Sequence, residues 1–429
     1  MTTLILGGGV SGLVTAWHLQ KRGEAVEVWE AQETIGGWVR TLPWPDADGR
    51  PGHVERGPQG VLVAPGSAAD RLFKELELEV RSPGHGARWV GMGGSLIPVP
   101  AAPVALLFSR LMSVTAKLRM MMEPFVPVRS LEPEENLSAF VARRLGRGVA
   151  ENLLPAMVAG VLAAPAESLS VEALPKLLQW EAKGSLFKGM RSGGSSSLMV
   201  PKGGMGMLPK RLAERLSGVR TGLRAEGLER LESGRWRVWG AGELREADRV
   251  LLALPAYEAS VLLGPIAPQS AEALAAIPYT SVRLRHSRHA RLAPLDDSFG
   301  FLVHPPEGHG FLGALVPSWI DPDSAPPDLM QLRAFLGGAF EMDPSLSESG
   351  GVQKVLRSWV PRLGEPLQVR EELADRAIPR PEMGHRSRVK AALAGLPAGI
   401  DWISNARFGP GVRDVVEGVE AWVERKEEN

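Results

Sequence analysis

The chain has 429 residues, 44% hydrophobic and 23% charged, and its 49 basic side chains balance 49 acidic ones. At ~100–200 residues per unit this length predicts two or three structural units, and a net charge of zero removes the electrostatic case for nucleic acid as the main partner. There is no cysteine, which excludes disulfides, thiolate metal sites, cysteine nucleophiles and any cofactor attached through a cysteine sulfur.

Met1-Thr2-Thr3 carries no basic residue ahead of the apolar run, so the N-terminus reads as a first strand and not as a signal peptide, and the chain is expected to stay inside the cell. Leu4-Ile5-Leu6 is a short buried strand. From Gly12, the apolar residues Leu13, Ala16, Trp17 and Leu19 follow helical spacing until Arg22-Gly23, and Ala25–Glu30 is a second strand. The turn between the first strand and the helix is Gly7-Gly8-Gly9-Val10-Ser11-Gly12, a G-x-G-x-x-G. Gly7 permits the tight turn, Gly9 lets a pyrophosphate approach the main chain, and Gly12 lets helix and strand pack closely. The helix N-terminus offers unpaired N–H groups to phosphates. Glu30, eighteen residues after Gly12, is placed to accept hydrogen bonds from a ribose diol. The unit predicts dinucleotide binding.

Farther along, Trp89–Ser109 is uncharged for 21 residues, but Gly91, Gly93, Gly94, Pro98, Pro100 and Pro103 interrupt it and argue against a transmembrane helix. Residues 104–122 are apolar with spaced Arg110, Lys117 and Arg119. Residues 137–189 read as mostly helical, including the charge-free stretch 152–166. Arg191–Ser197 reads as a flexible loop, Arg235–Trp239 as a hairpin strand, and Arg249–Leu254 as a buried parallel strand stopped by Pro255. His286 and His289, the one close histidine pair, lack a nearby carboxylate or thiol in sequence and read as solvated, so no metal site is expected. Asp321–Pro327 reads as an exposed connection, and Glu424–Asn429 as a low-complexity tail.

After Glu30 the chain continues Ala31-Gln32-Glu33-Thr34-Ile35-Gly36-Gly37-Trp38-Val39-Arg40. This acidic strand end followed by Gly-Gly resembles the flavoproteins of the amine oxidase, phytoene desaturase and protoporphyrinogen oxidase superfamily. Within it the chain is most similar to the protoporphyrinogen oxidase family, over nearly its whole length. The matching segments are His53-Val54-Glu55-Arg56-Gly57-Pro58-Gln59-Gly60, Phe140–Gly146, Ala159–Ala164, Gly203–Pro209, Phe299-Gly300-Phe301-Leu302-Val303, Phe335-Leu336-Gly337-Gly338, Ala377-Ile378-Pro379 and Gly384-His385.

The resemblance implies an α+β and α/β architecture. A discontinuous Rossmann-type FAD-binding domain would comprise 1–70, 191–260 and 371–429, a mixed-sheet substrate domain 71–100 and 261–370, and a helical membrane-associating lobe 101–190. It places FAD along Gly7–Gly12, Glu30, Ala31 and Trp38, with Gly57, Pro58, Gln59 and Gly60 beside the flavin and Ala225 contacting adenine. It further implies that Asn405 and Pro410-Gly411-Val412 bring main-chain N–H groups to the isoalloxazine edge, where a helix N-terminus stabilises charge on the reduced ring. Arg88 matches the residue that pairs with a propionate; Phe299, Gly300 and Leu302 match the wall of a pyrrole pocket, and Phe335 another apolar pocket residue.

The implied reaction is the oxygen-dependent, six-electron oxidation of protoporphyrinogen IX in heme biosynthesis, releasing hydrogen peroxide, with no acid or base residue singled out. Coproporphyrinogen III, a different flavin desaturase or amine oxidase reaction, and a scaffold without turnover stay open as alternatives. Tyr257 and Tyr279 are the only tyrosines, which leaves little material for the aromatic cage of an amine oxidase. In the family the helical part docks on a membrane, so a cytoplasmic enzyme peripheral on the cytoplasmic membrane is expected, with a homodimer open. Three departures stand out: Arg413-Asp414-Val415 replaces an Asn-Asp-Cys run, Gln59 stands where Arg or Asn is commoner, and Pro410 has no N–H.

Overall fold

The structure is a computed structural model that describes all residues except 85, 101–108, 110, 130–131, 193–194, 349 and 426–429. Most of the uncharged stretch after Pro100, the start of the 104–122 segment, Gly193-Gly194 and most of the terminal tail therefore lie outside the described residues.

Thr2–Leu6 forms the central strand of a five-stranded parallel sheet, flanked by Ala25–Trp29 and Arg249–Leu252, with Val219–Arg220 and Ile400–Trp402 at the edges. Its short apolar run is buried on both faces, as a strand in the middle of a covered parallel sheet must be. Ile5 packs with Leu13 and Val14 of helix Val10–Lys21 and with Val416 and Val419 of the last helix, Val412–Arg425. Leu4 and Leu6 face a second core shared with helices Ala256–Leu263 and Pro268–Ala275 and with Trp236 and Val238 of a three-stranded antiparallel meander. Four stretches far apart in sequence thus converge on one sheet.

A seven-stranded mixed sheet runs in the order Gln368–Pro379, Tyr279–Ala290, Leu329–Gly337, Phe311–Leu315, Ser298–Val303, Ala87–Met92, Ser95–Pro98. Its neighbours are antiparallel except Ser298–Val303 and Ala87–Met92. Between the two sheets in sequence lies a group of short helices from Val114–Met121 to Leu186–Ser192, which carries the predicted helical middle third. Its interior holds a charged cluster. Arg144 and Glu123, both fully buried, form an ion pair, and Glu123 also accepts from Ser185 Oγ at 2.6 Å and Leu186 N at 2.8 Å. Among the described residues no helix is long and apolar enough to cross a membrane.

Three sequence expectations need correction. Arg191 and Ser192 finish a helix and Ser197 opens strand Ser197–Pro201, so the glycine-serine loop is shorter than composition suggested. Asp321–Pro327 is not an exposed connection: Asp321 and Ser324 are each 1% exposed. The Asp321 carboxylate bonds His53 Nε2 at 2.9 Å and accepts from Asp323 N, closing a short 3-10 turn over Pro322–Ser324. His286 and His289 are buried and not solvated. Three residues apart on one strand, they point to opposite faces of the sheet and so do not form a pair. Burial, with Arg333 and Arg370 nearby, pushes His286 down to about 2, so its ring stays neutral.

Candidate functional site

The N-terminal glycines separate into those the fold requires and one it does not. Gly7, at φ +113°, has its missing side-chain position filled by the Ala253 carbonyl, and a Cβ on Gly12 would strike the Gly7 carbonyl oxygen. Gly9 has ordinary extended dihedrals, φ −73° and ψ 176°, and a Cβ there would meet nothing within 4 Å. Gly9 is the N-cap of helix Val10–Lys21, no side chain caps that terminus, and its first turn holds no acidic residue. The turn from Gly9 into the helix therefore sets a helix N-terminus that no side chain caps beside open space, which suits an anionic pyrophosphate.

Glu30 is buried at the end of the second strand, where its Oε2 accepts from Gly8 N at 2.7 Å and its Oε1 from Gln32 N at 2.8 Å. Each oxygen keeps a lone pair, so the carboxylate that braces the glycine turn can still accept from a diol. Beside Glu30 and Ala31, Leu223 N donates to Glu30 O and Gly222 N to Gln32 O, which leads the chain past this end of the sheet to Ala225. Gly36 and Gly37 close the other side: Gly36 N donates to Gly8 O at 2.8 Å, and a Cβ on Gly37 would sit 3.6 Å from the Gly9 Cα.

Next to this cradle, Gly57 packs against the Trp38 main chain and the Arg56 guanidinium lies 4.9 Å from the Trp38 ring centroid. Gln59 on the following turn is 8% exposed, and its Oε1 has no hydrogen-bond partner. A buried, unsatisfied acceptor calls for a donor from outside the chain. At the C-terminal end Ser404 caps the short helix Asn405–Phe408, and Gly411 N donates to Asp414 Oδ2 at 3.2 Å. With Pro410 lacking an N–H, Val412 alone of Pro410-Gly411-Val412 keeps a main-chain donor free among the described residues, fewer than the sequence led one to expect.

The description "Flavin containing amine oxidoreductase" matches residues 10–391 of this chain. The chain belongs to that family. It is 30% identical to protoporphyrinogen oxidase of Homo sapiens over 92% of its own length and 91% of that protein. To protoporphyrinogen oxidase 2 of Arabidopsis thaliana it is 26% identical, over 90% and 85% of the two chains. Among solved structures it resembles a candidate protoporphyrinogen oxidase from Exiguobacterium sp. 255-15, with a TM-score of 0.79, 23% identity, and 100% and 98% of the chains covered. This flavin oxidoreductase binds FAD, and the open space at Gly9, the uncapped helix and the orphaned Gln59 acceptor fit that group.

On the substrate side of the flavoenzyme, Arg88 and Gly300 are neighbours in the parallel pair of the mixed sheet, where a bulge at Gly300 brings Phe299 out of register. The Arg88 guanidinium lies 4.3 Å from the Phe299 ring centroid and the Trp319 ring meets Phe299 edge-on at 4.7 Å. Leu302 and Phe335 are not in that cluster. Leu302 packs on Gly160 of helix Leu154–Leu162, and Phe335 joins Ala159, Ala163 and Trp38. The helix thus bridges two of the expected pocket residues, while Phe299 stands apart with Arg88.

Two charged residues here escaped the sequence reading. Glu55 is buried against Met205 N at 2.9 Å and the Thr41 hydroxyl at 2.9 Å, and burial pushes its carboxyl up to about 6. Arg333, 2% exposed, lies across from the Arg56-Gly57 main chain. The signal for Arg333 was the alternation Gln331, Arg333, Phe335, which puts a charge on the inward face of an otherwise apolar strand.

Proposed function

We propose that this enzyme oxidises a porphyrinogen macrocycle to the aromatic porphyrin, removing six electrons in three two-electron turns, with molecular oxygen as acceptor and hydrogen peroxide as product. Our first reading of the substrate is protoporphyrinogen IX, with coproporphyrinogen III the alternative. The observation that carries the reading is Arg88: an exposed guanidinium held over Phe299, with no carboxylate paired to it among the described residues. An exposed arginine without a carboxylate of its own is suited to a ligand carboxylate such as a propionate. The likeness to human protoporphyrinogen oxidase supports the same substrate class.

Bound FAD supplies the two-electron acceptor and its reoxidation by oxygen. The chain's part is to hold, orient and enclose. Gly9 and the uncapped helix take the pyrophosphate, Glu30 the ribose diol, and Ala225 the adenine. Trp38, Gly57–Gly60, Asn405 and Val412 border the ring, and Leu302 and Phe335 offer apolar walls that exclude water. A macrocycle driven by aromatisation needs no acid or base beyond this positioning. The two tyrosines meet each other edge-on at 5.0 Å and Tyr279 OH accepts from Ala256 N, so they are committed to packing and do not favour an amine substrate.

Supplied with either porphyrinogen, the purified yellow protein is expected to generate porphyrin fluorescence with matching oxygen uptake; turnover of amines alone would defeat the proposal. Arg88→Ala should raise the porphyrinogen KM about tenfold, the lower end for a charge-assisted contact because Arg88 is exposed, with kcat little changed. Unaltered kinetics would remove Arg88 from substrate binding.

We also infer a cytoplasmic enzyme that adsorbs to the membrane through the helical lobe. Val114, Leu118, Met121, Met122, Phe125 and Val128 are each between 52% and 78% exposed within fifteen residues, an apolar patch larger than a solvated helix needs. The protein should sediment with anionic phospholipid vesicles, and Leu118→Asp with Phe125→Asp should release it. Equal recovery of both proteins in the pellet would contradict the surface chosen.

A further inference from the structure

In strand Leu329–Gly337, Met330, Leu332, Ala334 and Leu336 enter the apolar core of the mixed sheet, while Gln331, Arg333 and Phe335 face the other way. That second face abuts the segment leading to the flavin. Gln331 Nε2 donates to His53 O at 3.2 Å, and Phe335 shares a cluster with Trp38. Between them Arg333 donates from Nη1 to Gly57 O at 2.7 Å and from Nη2 to Arg56 O at 3.2 Å, with its guanidinium 5.0 Å from the Phe335 ring.

The guanidinium is buried and makes no ion pair among the described residues, and its Nε has no partner. The two carboxylates that act on it electrostatically are committed elsewhere, Glu55 to Thr41 and Met205 N, and Glu372 to Arg56. Two carbonyls can be satisfied by a neutral donor, so a buried, unneutralised cation is an expensive way to pin a loop. The same loop carries neutral Gln59, and at the C-terminal end Pro410 has no N–H and that of Gly411 is taken by Asp414, which leaves Val412 alone as a donor among the described residues. The loop's own cation, Arg56, is paired to Glu372.

We propose that Arg333 is a positioning residue that supplies positive charge here: through the Arg56-Gly57 main chain it aligns the loop along the flavin and favours the reduced, more negative form of the cofactor. The inference rests on the FAD reading above and deepens it. A positive field near the ring stabilises the electron-rich state without touching substrate.

The test uses holoenzyme reconstituted with FAD and measures the two-electron potential against reference dyes. Arg333→Met should keep the visible flavin spectrum but bind reduced relative to oxidised FAD at least tenfold less favourably, about 30 mV lower in potential. Arg333→Lys should stay within threefold of wild type at pH 7. Between pH 7 and 9 it should fall away, because a buried lysine loses its proton there, whereas Arg333, pulled down by burial only to about 10, keeps its charge. Over that range Glu55, pushed up only to about 6, is already ionised and His286 on the adjacent strand is neutral, while the other facing carboxylate, Glu372, sits in an ion pair with Arg56. Flavin-loaded Arg333→Met with the wild-type potential overturns the inference. If Arg333→Met does not accumulate, Arg333→Lys whose potential tracks wild type up to pH 9 overturns it equally. Wild-type protein that takes up no FAD defeats the flavin reading itself.

Discussion

Gly9→Ala should leave the apoprotein as stable as wild type yet weaken FAD binding about a hundredfold, near 2.7 kcal/mol, whereas Gly12→Ala should fail at the level of the fold. The contrast follows from what each missing Cβ would meet. Gly9 has dihedrals any residue adopts and empty space around it, so glycine there serves only what enters from outside. At Gly12 the Cβ would drive into the Gly7 main chain, a neighbour that can move only by parting the helix from the first strand. Overpacking against backbone costs about 3 kcal/mol or more. Urea denaturation of the apoproteins with flavin fluorescence titration separates the two effects. Gly9→Ala binding FAD like wild type would show that the pyrophosphate lies elsewhere.

The second large effect is expected in the helical lobe. Arg144→Leu should destabilise the protein by about 3–5 kcal/mol, because it strands a fully buried carboxylate with only Ser185 Oγ and Leu186 N for partners. The arginine's own bond to Val126 O at 2.7 Å is lost as well, and with it a tie to the segment that carries the exposed apolar patch. Adding Glu123→Gln should recover more than half of the loss, since the amide keeps contact with Ser185 without carrying a charge. Chemical denaturation of the single and double variants provides the comparison; a double variant no better than Arg144→Leu would mean that the carboxylate is not the source of the cost.

The nucleotide half of this enzyme was readable from sequence because its determinants are local. A glycine turn, a change from period two to period 3.6 and back, and an acidic strand end all act within thirty residues, and the folded strands lie where those signals put them. The parallel strand at Arg249–Leu252 was legible for the same reason, as an apolar run short enough to be buried on both faces. Family likeness extended the reading to FAD and a tetrapyrrole, but from motifs and not from geometry.

What sequence could not supply depends on register between distant strands. Whether His286 and Asp321 are wet or buried, and that Gly36 and Gly37 press onto the Gly8-Gly9 turn, are decided only when segments tens to hundreds of residues apart are laid side by side. Arg333 is the clearest instance. In the chain it is one charge in an apolar run, and it reaches the Gly57 carbonyl only because pairing with Tyr279–Ala290 and Phe311–Leu315 turns that face of the strand toward residues 56 and 57. A strand's alternation tells which residues share a face; it does not tell what that face will meet.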